Sequence, residues 1–173
     1  MIIKAIGMTC ITLGLICTIF LGINGCYANY KWNRDIESWW ELADKSSTIE
    51  AKSEYIQKFV EALDSQKLTG YNAIIFKTPN NNIEKNIEAV KTLNKRLQDI
   101  KGMKPDSFEY NQAIQQITAQ EQGEATKLIK ILFGGWLLHS GYWYLWDWIL
   151  AIIIFFLLLL FTIGGILLSG VFD

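Results

Sequence analysis

A histidine and a carboxylate near the end of the chain could carry protons. His139 stands eight residues before Asp147, which opens a long apolar run, and such a pair can pass protons between water and a membrane. Alternatively, Asp147 stabilises the first turn of a helix through the helix macrodipole. Because no ionisable residue occurs from Ile149 to Leu168, we favour the structural role and do not expect a proton path.

Three polar residues form a second candidate site. Gln116, Gln120 and Glu124 recur every four residues, which places them on one face of a helix. That face could recognise a ligand in a polar pocket between helices. It could also be solvated, or form a buried polar layer that fixes helix register. We favour the solvated or register role and keep the three residues as the candidate polar recognition face.

The supply of metal ligands and nucleophiles is small. His139 is the single histidine, and the cysteines Cys10, Cys17 and Cys26 lie inside or just after the first apolar run. A multi-histidine metal site is therefore excluded, and the polar part of the chain has no thiol to replace the missing imidazoles. No phosphate-binding glycine loop or nucleophile motif occurs. We predict a non-enzymatic protein that uses no metal and no cofactor.

Two apolar runs, Ala5–Gly25 and Trp148–Gly170, bracket the polar residues. Each exceeds or reaches the length of about 20 residues that crosses a bilayer as a helix. We predict an N-terminal transmembrane signal anchor over 1–29 and a C-terminal transmembrane helix over 148–173. The start resembles a bacterial signal sequence, and Gly25-Cys26 resembles the lipobox of lipoproteins. Cleavage and lipidation at Cys26 is thus the alternative to an uncleaved anchor.

Small side chains recur every three or four residues along the first run. They predict a packing seam for the second helix, another copy or a partner subunit, because small residues let membrane helices approach closely. The alternative is that Gly and Thr are simply common in membrane helices. The seam consists of Gly7, Cys10, Gly14, Thr18 and Gly22.

All seven tryptophans lie near a predicted membrane boundary. Indole rings favour the headgroup level of a bilayer, so we predict an aromatic belt and an aromatic interfacial segment over 135–147. The alternative is an aromatic cage for a cationic or sugar ligand. The belt residues are Trp32, Trp39, Trp40, Trp136, Trp143, Trp146 and Trp148.

The segment 30–134 carries apolar residues at helical spacing. We predict an all-α fold, in which an antiparallel bundle of about four helices is tethered by the two spans. The predicted helices run from Asn33 to Ala43, from a capping box at Ser47–Glu50, from Ile83 to Lys101, and onward from Pro105. An irregular loop near 68–82 should pack Ile74–Phe76 against the helices, or expose them to a partner.

Charge restricts the partners. Apart from Lys4, Asp147 and Asp173, all charged residues lie between Lys31 and Lys130, where 15 basic residues balance 15 acidic ones. A nucleic-acid partner, which would need a basic stripe, is excluded. The expected partners are the lipid bilayer and another membrane protein, or a second copy of this chain.

These features favour an accessory or structural subunit, or scaffold, of a membrane complex. One alternative is a membrane-tethered sensor or ligand-binding bundle, because the layout is similar to the four-helix sensor domains of chemoreceptors. Another is an oligomerising membrane effector. The signal-like start favours a bacterial-type plasma (inner) membrane with the helical domain on the extracytoplasmic side. Basic residues that flank the spans on the domain side favour the opposite orientation: Lys31, Arg34, Lys127 and Lys130.

Overall fold

A computed structural model of the chain describes residues 2–73, 75–101, 103, 107, 110 and 126–169, without the side chains of Ile2, Asp147 and Trp148. Within these ranges every regular element is a helix, which confirms the all-α prediction. The only strand-like pairing among the described residues is an isolated antiparallel bridge between Tyr71 and Asn82.

The helices follow the apolar pattern of the sequence. In chain order they are α1 (Ile2–Trp32), a π-helical stretch (Asn33–Glu37), α2 (Ser38–Asp44), α3 (Ile49–Gln66), a 3-10 turn (Pro79–Asn81), α4 (Ile83–Lys101), α5 (126–139), a second 3-10 turn (Trp143–Leu145) and α6 (Asp147–Ser169). The predicted bounds of the Ile83–Lys101 helix are confirmed.

The chain divides into two compact units. One contains the described residues of Met1–Tyr30 and Gly141–Asp173, and the other those of Lys31–Ser140. Two helical stretches, Ile3–Asp44 and Ile149–Ser169, are long and apolar enough to cross a membrane. Their length and composition favour a membrane protein.

The second unit is built around apolar faces of three consecutive helices. The Trp40 ring of α2 lies 5.4 Å from the Phe59 ring of α3. Leu97 of α4 packs in the same buried cluster as Ile56 of α3. Fully burying one such side chain contributes about 1.5–3 kcal/mol, so helix packing is the main source of stability. The buried cluster that joins the three helices contains Ala43, Ile49, Ile56, Leu97 and Ile100.

The helix α3 begins one residue later than its predicted capping box requires. Thr48, not Ser47, is the N-cap, and its hydroxyl accepts a hydrogen bond from the Ala51 amide at 3.3 Å. Ser47 is exposed, whereas Ile49 is buried in the core cluster. The helix α3 therefore starts at the buried residue Ile49, and the preceding residue, Thr48, caps it.

Asparagine side chains organise the loop that precedes α4. The side-chain amide of Asn81 donates to the Phe76 carbonyl at 2.7 Å, and the backbone amide of Thr78 donates to the side-chain oxygen of Asn81 at 2.9 Å. Ile75 and Phe76 are exposed, so the prediction that they pack against the helices is wrong for these two residues. The hydrogen bonds close the turn around Asn81 and leave the apolar pair outside the core. Ile74 lies outside the described residues.

The position of the α3 cap can be tested with two neighbouring substitutions. Thr48→Ala should lower the local stability of the first turn of α3 by about 1 kcal/mol, because the Ala51 amide loses its acceptor. Ser47→Ala should leave that stability nearly unchanged. Hydrogen exchange at the amides of Ala51 and Lys52 measures the difference. A larger loss for Ser47→Ala would show that the sequence-predicted cap is the correct one.

Candidate functional site

Two glycines lie where α1 and α6 approach each other closely. A Cβ atom added to Gly7 would lie 3.0 Å from the Gly164 carbonyl oxygen, and one added to Gly164 would lie 3.1 Å from the Gly7 carbonyl oxygen. Both glycines are buried. Any side chain at either position would therefore push the two backbones apart.

Two other seam residues lie on the same side of α1. A Cβ atom at Gly14 would meet the Phe161 ring at 3.0 Å, and the Cys10 Cβ lies 3.3 Å from where a Gly164 Cβ would be. The Thr18 hydroxyl donates to the Gly14 carbonyl within its own helix at 2.8 Å, so this hydroxyl needs no hydrogen bond to a second helix. The structure thus brings Gly7, Cys10 and Gly14 together against α6.

Sequence reasoning identified only the α1 half of this contact. The other half is Gly164, one of two adjacent glycines, Gly164 and Gly165, in a run otherwise rich in Leu, Ile and Phe. That pair was the available signal, because glycine is unfavourable in a helix unless a close approach requires it. Gly165 has no neighbour within 4 Å of an added Cβ.

A polar contact supplements the glycine contact. The Tyr144 hydroxyl donates to the Asn24 side-chain oxygen at 3.0 Å, and the Tyr144 ring stacks with Phe20 at a centroid distance of 6.1 Å. The Asn24 amide nitrogen donates to the Phe20 carbonyl at 2.9 Å. The amide of Asn24 is therefore satisfied at both ends inside an otherwise apolar helix.

The last seam residue, Gly22, is open. No atom lies within 4 Å of an added Cβ at this position. Gly22 instead lines a shallow groove of about 620 Å³ on α1. The groove is formed by Ile19, Gly22, Ile23, Cys26, Tyr27 and Tyr30. At about 3.6 residues per turn, Ile23 and Tyr30 lie on the face of α1 roughly opposite Gly7, Cys10 and Gly14, whereas Gly22 lies at the edge of the groove, about a quarter turn from those three residues.

Several belt tryptophans are covered by protein. Trp32 and Trp136 are 1% and 2% exposed, and the centroids of their rings lie 5.8 Å apart. The Phe133 ring lies 5.5 Å from the Trp32 ring and 6.2 Å from the Trp136 ring. The Trp136 indole donates to the Gln66 side chain at 3.2 Å. These two rings therefore act as core residues of the second unit.

The remaining belt residues have varied surroundings. Trp146 is also buried, and Trp143 is 53% exposed. Trp39 and Trp40 are partly buried. The structure does not describe the side chain of Trp148. Among the described tryptophans, Trp143 is the ring most available to a membrane interface.

A cation stacks on aromatic rings at the junction of α2 and α3. The ammonium group of Lys58 lies 5.2 Å from the Trp39 ring and 5.7 Å from the Tyr55 ring. Its hydrogen bond to Glu54, 2.7 Å long, lowers the pKa of that carboxyl group and raises the pKa of Lys58. An aromatic surface that could receive a cationic ligand is therefore occupied by a lysine of the same chain.

Most other candidate groups have structural partners or lie outside the described residues. His139 donates from Nδ1 to the Gly135 carbonyl at 2.8 Å, and its Nε2 lies 3.4 Å from the Thr69 hydroxyl. The side chain of Asp147 is not described. The polar recognition face of Gln116, Gln120 and Glu124 lies wholly outside the described residues. In the described part of the chain, no three His, Cys, Asp or Glu residues come together as a metal site.

The Asn24–Tyr144 hydrogen bond should be measurable by a double-mutant cycle. Tyr144→Phe and Asn24→Ala each remove one partner, and we expect a coupling energy of about 0.6–2 kcal/mol, as found for hydrogen bonds between membrane helices. Resistance of the α1–α6 pair to unfolding in a strong detergent supplies the free energies. Strictly additive losses would show that the two side chains do not interact.

No known protein family matches this chain, and neither a curated protein nor a solved structure is significantly similar to it.

Proposed function

We propose that this protein is a non-enzymatic accessory subunit, or scaffold, of a membrane complex, and that it binds its partner through the free face of α1. The observation that carries this proposal is the division of α1 into two faces. One face is filled by α6 at Gly7 and Gly14, and the other holds the open groove, with Gly22 at its edge.

The chemistry of the groove fits a transmembrane helix. Its floor has a glycine with empty space above it, and its rim carries Ile19, Ile23 and two tyrosines, with no charged residue. Apolar helices in lipid gain little from burial, because the lipid tails are equally apolar, so close packing at small residues drives their association. The occupant is a helix of another membrane protein or α1 of a second copy.

The paired spans would then hold a helical domain beside that partner. We propose that the domain is an antiparallel bundle in which α5 packs on α3 and α4. Support comes from the Trp136–Gln66 hydrogen bond and from the close fit of Gly135, whose added Cβ would meet the Ile83 side chain at 2.6 Å. We place the domain on the extracytoplasmic side of a bacterial-type plasma membrane, on the strength of the signal-like start.

Two neighbouring glycines of α1 allow a direct test. Gly22 and Gly25 both have open space above them, but only Gly22 lines the groove. Gly22→Leu should fill the groove and release the partner, so that the particle purified in mild detergent falls to the mass of a monomer. Gly25→Leu should retain the mass of the wild-type complex. Size-exclusion chromatography with light scattering measures both.

Two outcomes would contradict the proposal. A wild-type protein that is already monomeric would show that no partner occupies the groove. Equal loss of the complex in both variants would show that any bulky residue in this part of α1 disrupts it. Mass spectrometry of the retained complex distinguishes a second copy from another membrane protein.

A further inference from the structure

The loop between α3 and α4 presents two large apolar side chains to solvent. Ile75 is 77% exposed and Phe76 is 75% exposed. Among the described residues of the second unit, the next most exposed large apolar side chains are Leu42 at 41% and Met103 at 40%, and core residues such as Phe59 and Leu97 are 0% exposed. An apolar tip of this kind indicates a surface that is covered by something else.

The loop is ordered by its own hydrogen bonds. The Ile83 amide donates to the Gly70 carbonyl at 2.9 Å and the Asn72 amide donates to the Asn81 carbonyl at 2.9 Å, which holds the two ends of the loop together. Nearer the tip, Asn81 binds the Phe76 carbonyl and the Thr78 amide. Ile75 and Phe76 therefore stand on a closed loop, so the cost of ordering them is met before any partner binds.

The base of this loop lies against the end of α5. An added Cβ at Gly134 would collide with the Asn72 side chain, and Thr69 lies 3.4 Å from the ring of His139. His139 is ten residues before Ile149, where the second apolar stretch starts. Because an extended chain covers at most about 3.6 Å per residue, His139 is within about 36 Å of that stretch. The loop base thus contacts the segment that precedes the second apolar stretch in the chain.

The tip carries one charged residue. From Leu68 to Ile83 the sequence has a single lysine, Lys77, and no Arg, Asp or Glu. Lys77 adjoins Phe76 and its ammonium group lies 5.6 Å from the Tyr71 ring. Apolar side chains flanked by an aromatic ring and a lysine are typical of segments that enter a bilayer interface, where the lysine meets anionic headgroups.

We propose that Ile75 and Phe76 insert into the interface of the bilayer that α1 and α6 cross, and that Lys77 contacts anionic lipid headgroups. The loop is then a third membrane contact, which fixes the domain against the lipid surface. The proposal rests on membrane insertion of the two apolar helices and is independent of a partner in the α1 groove.

A spin label at position 75 tests this insertion in the full chain. The three cysteines are replaced by serine, Ile75→Cys carries the label, and the protein is placed at one copy per lipid nanodisc containing phosphatidylcholine and phosphatidylglycerol. A label buried about 5–10 Å below the headgroups collides with oxygen and is protected from a water-soluble nickel chelate. Lys95→Cys, on the exposed side of α4, is the control and should collide freely with nickel.

The outcomes separate the bilayer from other occupants. We expect nickel protection at position 75 in single-copy discs, its loss in Phe76→Asp, and weaker protection in Lys77→Glu or in discs without phosphatidylglycerol. Unchanged spectra of the Lys95 label would show that these variants keep their fold. Free collision with nickel at position 75, protection from both nickel and oxygen, or protection that requires several copies per particle would each overturn the proposal.

Discussion

The approach of the Gly7 and Gly164 backbones is the constraint on which the apolar unit depends. Membrane helices have no hydrophobic driving force toward each other, so dispersion contacts must hold them together, and these weaken within a fraction of an ångström. Two glycines allow each carbonyl oxygen to lie where the other residue's side chain would begin. The contact of Gly14 with Phe161 follows along the same pair of helices, and the Asn24–Tyr144 hydrogen bond joins α1 to the 3-10 turn that precedes α6. Because this pairing uses one face of α1, the groove that includes Ile23 and Tyr30 is left uncovered by α6, and we propose it as the partner site.

The second unit, Lys31–Ser140, is stabilised by burial of apolar side chains from water. Its helices pack through large apolar residues such as Phe59 and Leu97, because burial from water is favourable. Its loop before α4 uses asparagine side chains to satisfy backbone groups that no helix or sheet would satisfy. The exposed Ile75 and Phe76 do not fit this pattern. We propose that they contact the lipid surface.

The sequence predicted what depends on local pattern. The helix over Ile83–Lys101 was located to the residue because its apolar spacing and its flanking residues agree. The start of α3 was placed one residue early because Ser47 and Thr48 can both cap a helix, and burial of Ile49 is a tertiary property. The glycines of α1 were recognised as a seam, but which of them meets α6 depends on a residue more than a hundred positions away.

Contacts between residues distant in sequence also explain why two of the tryptophans are buried. Trp32 and Trp136 each stand beside an apolar run, and that position predicts a headgroup belt. Their burial follows from a mutual contact with Phe133 that no local pattern records. Similarly, exposure of Ile75 and Phe76 depends on Asn81, which closes the turn on the other side of a proline.

The most direct test of this account is a disulfide between α1 and α6. In a chain that keeps Cys10 but has Cys17 and Cys26 replaced by serine, Gly164→Cys would place a Cβ 3.3 Å from that of Cys10, close to the separation of about 3.8 Å found in disulfides. Oxidation in membranes should link the two residues within one chain, as detected by mass spectrometry of the linked peptides. Gly165→Cys, the neighbouring glycine with open surroundings, should not form the link. No link at position 164, or an equal yield at position 165, would contradict the glycine contact.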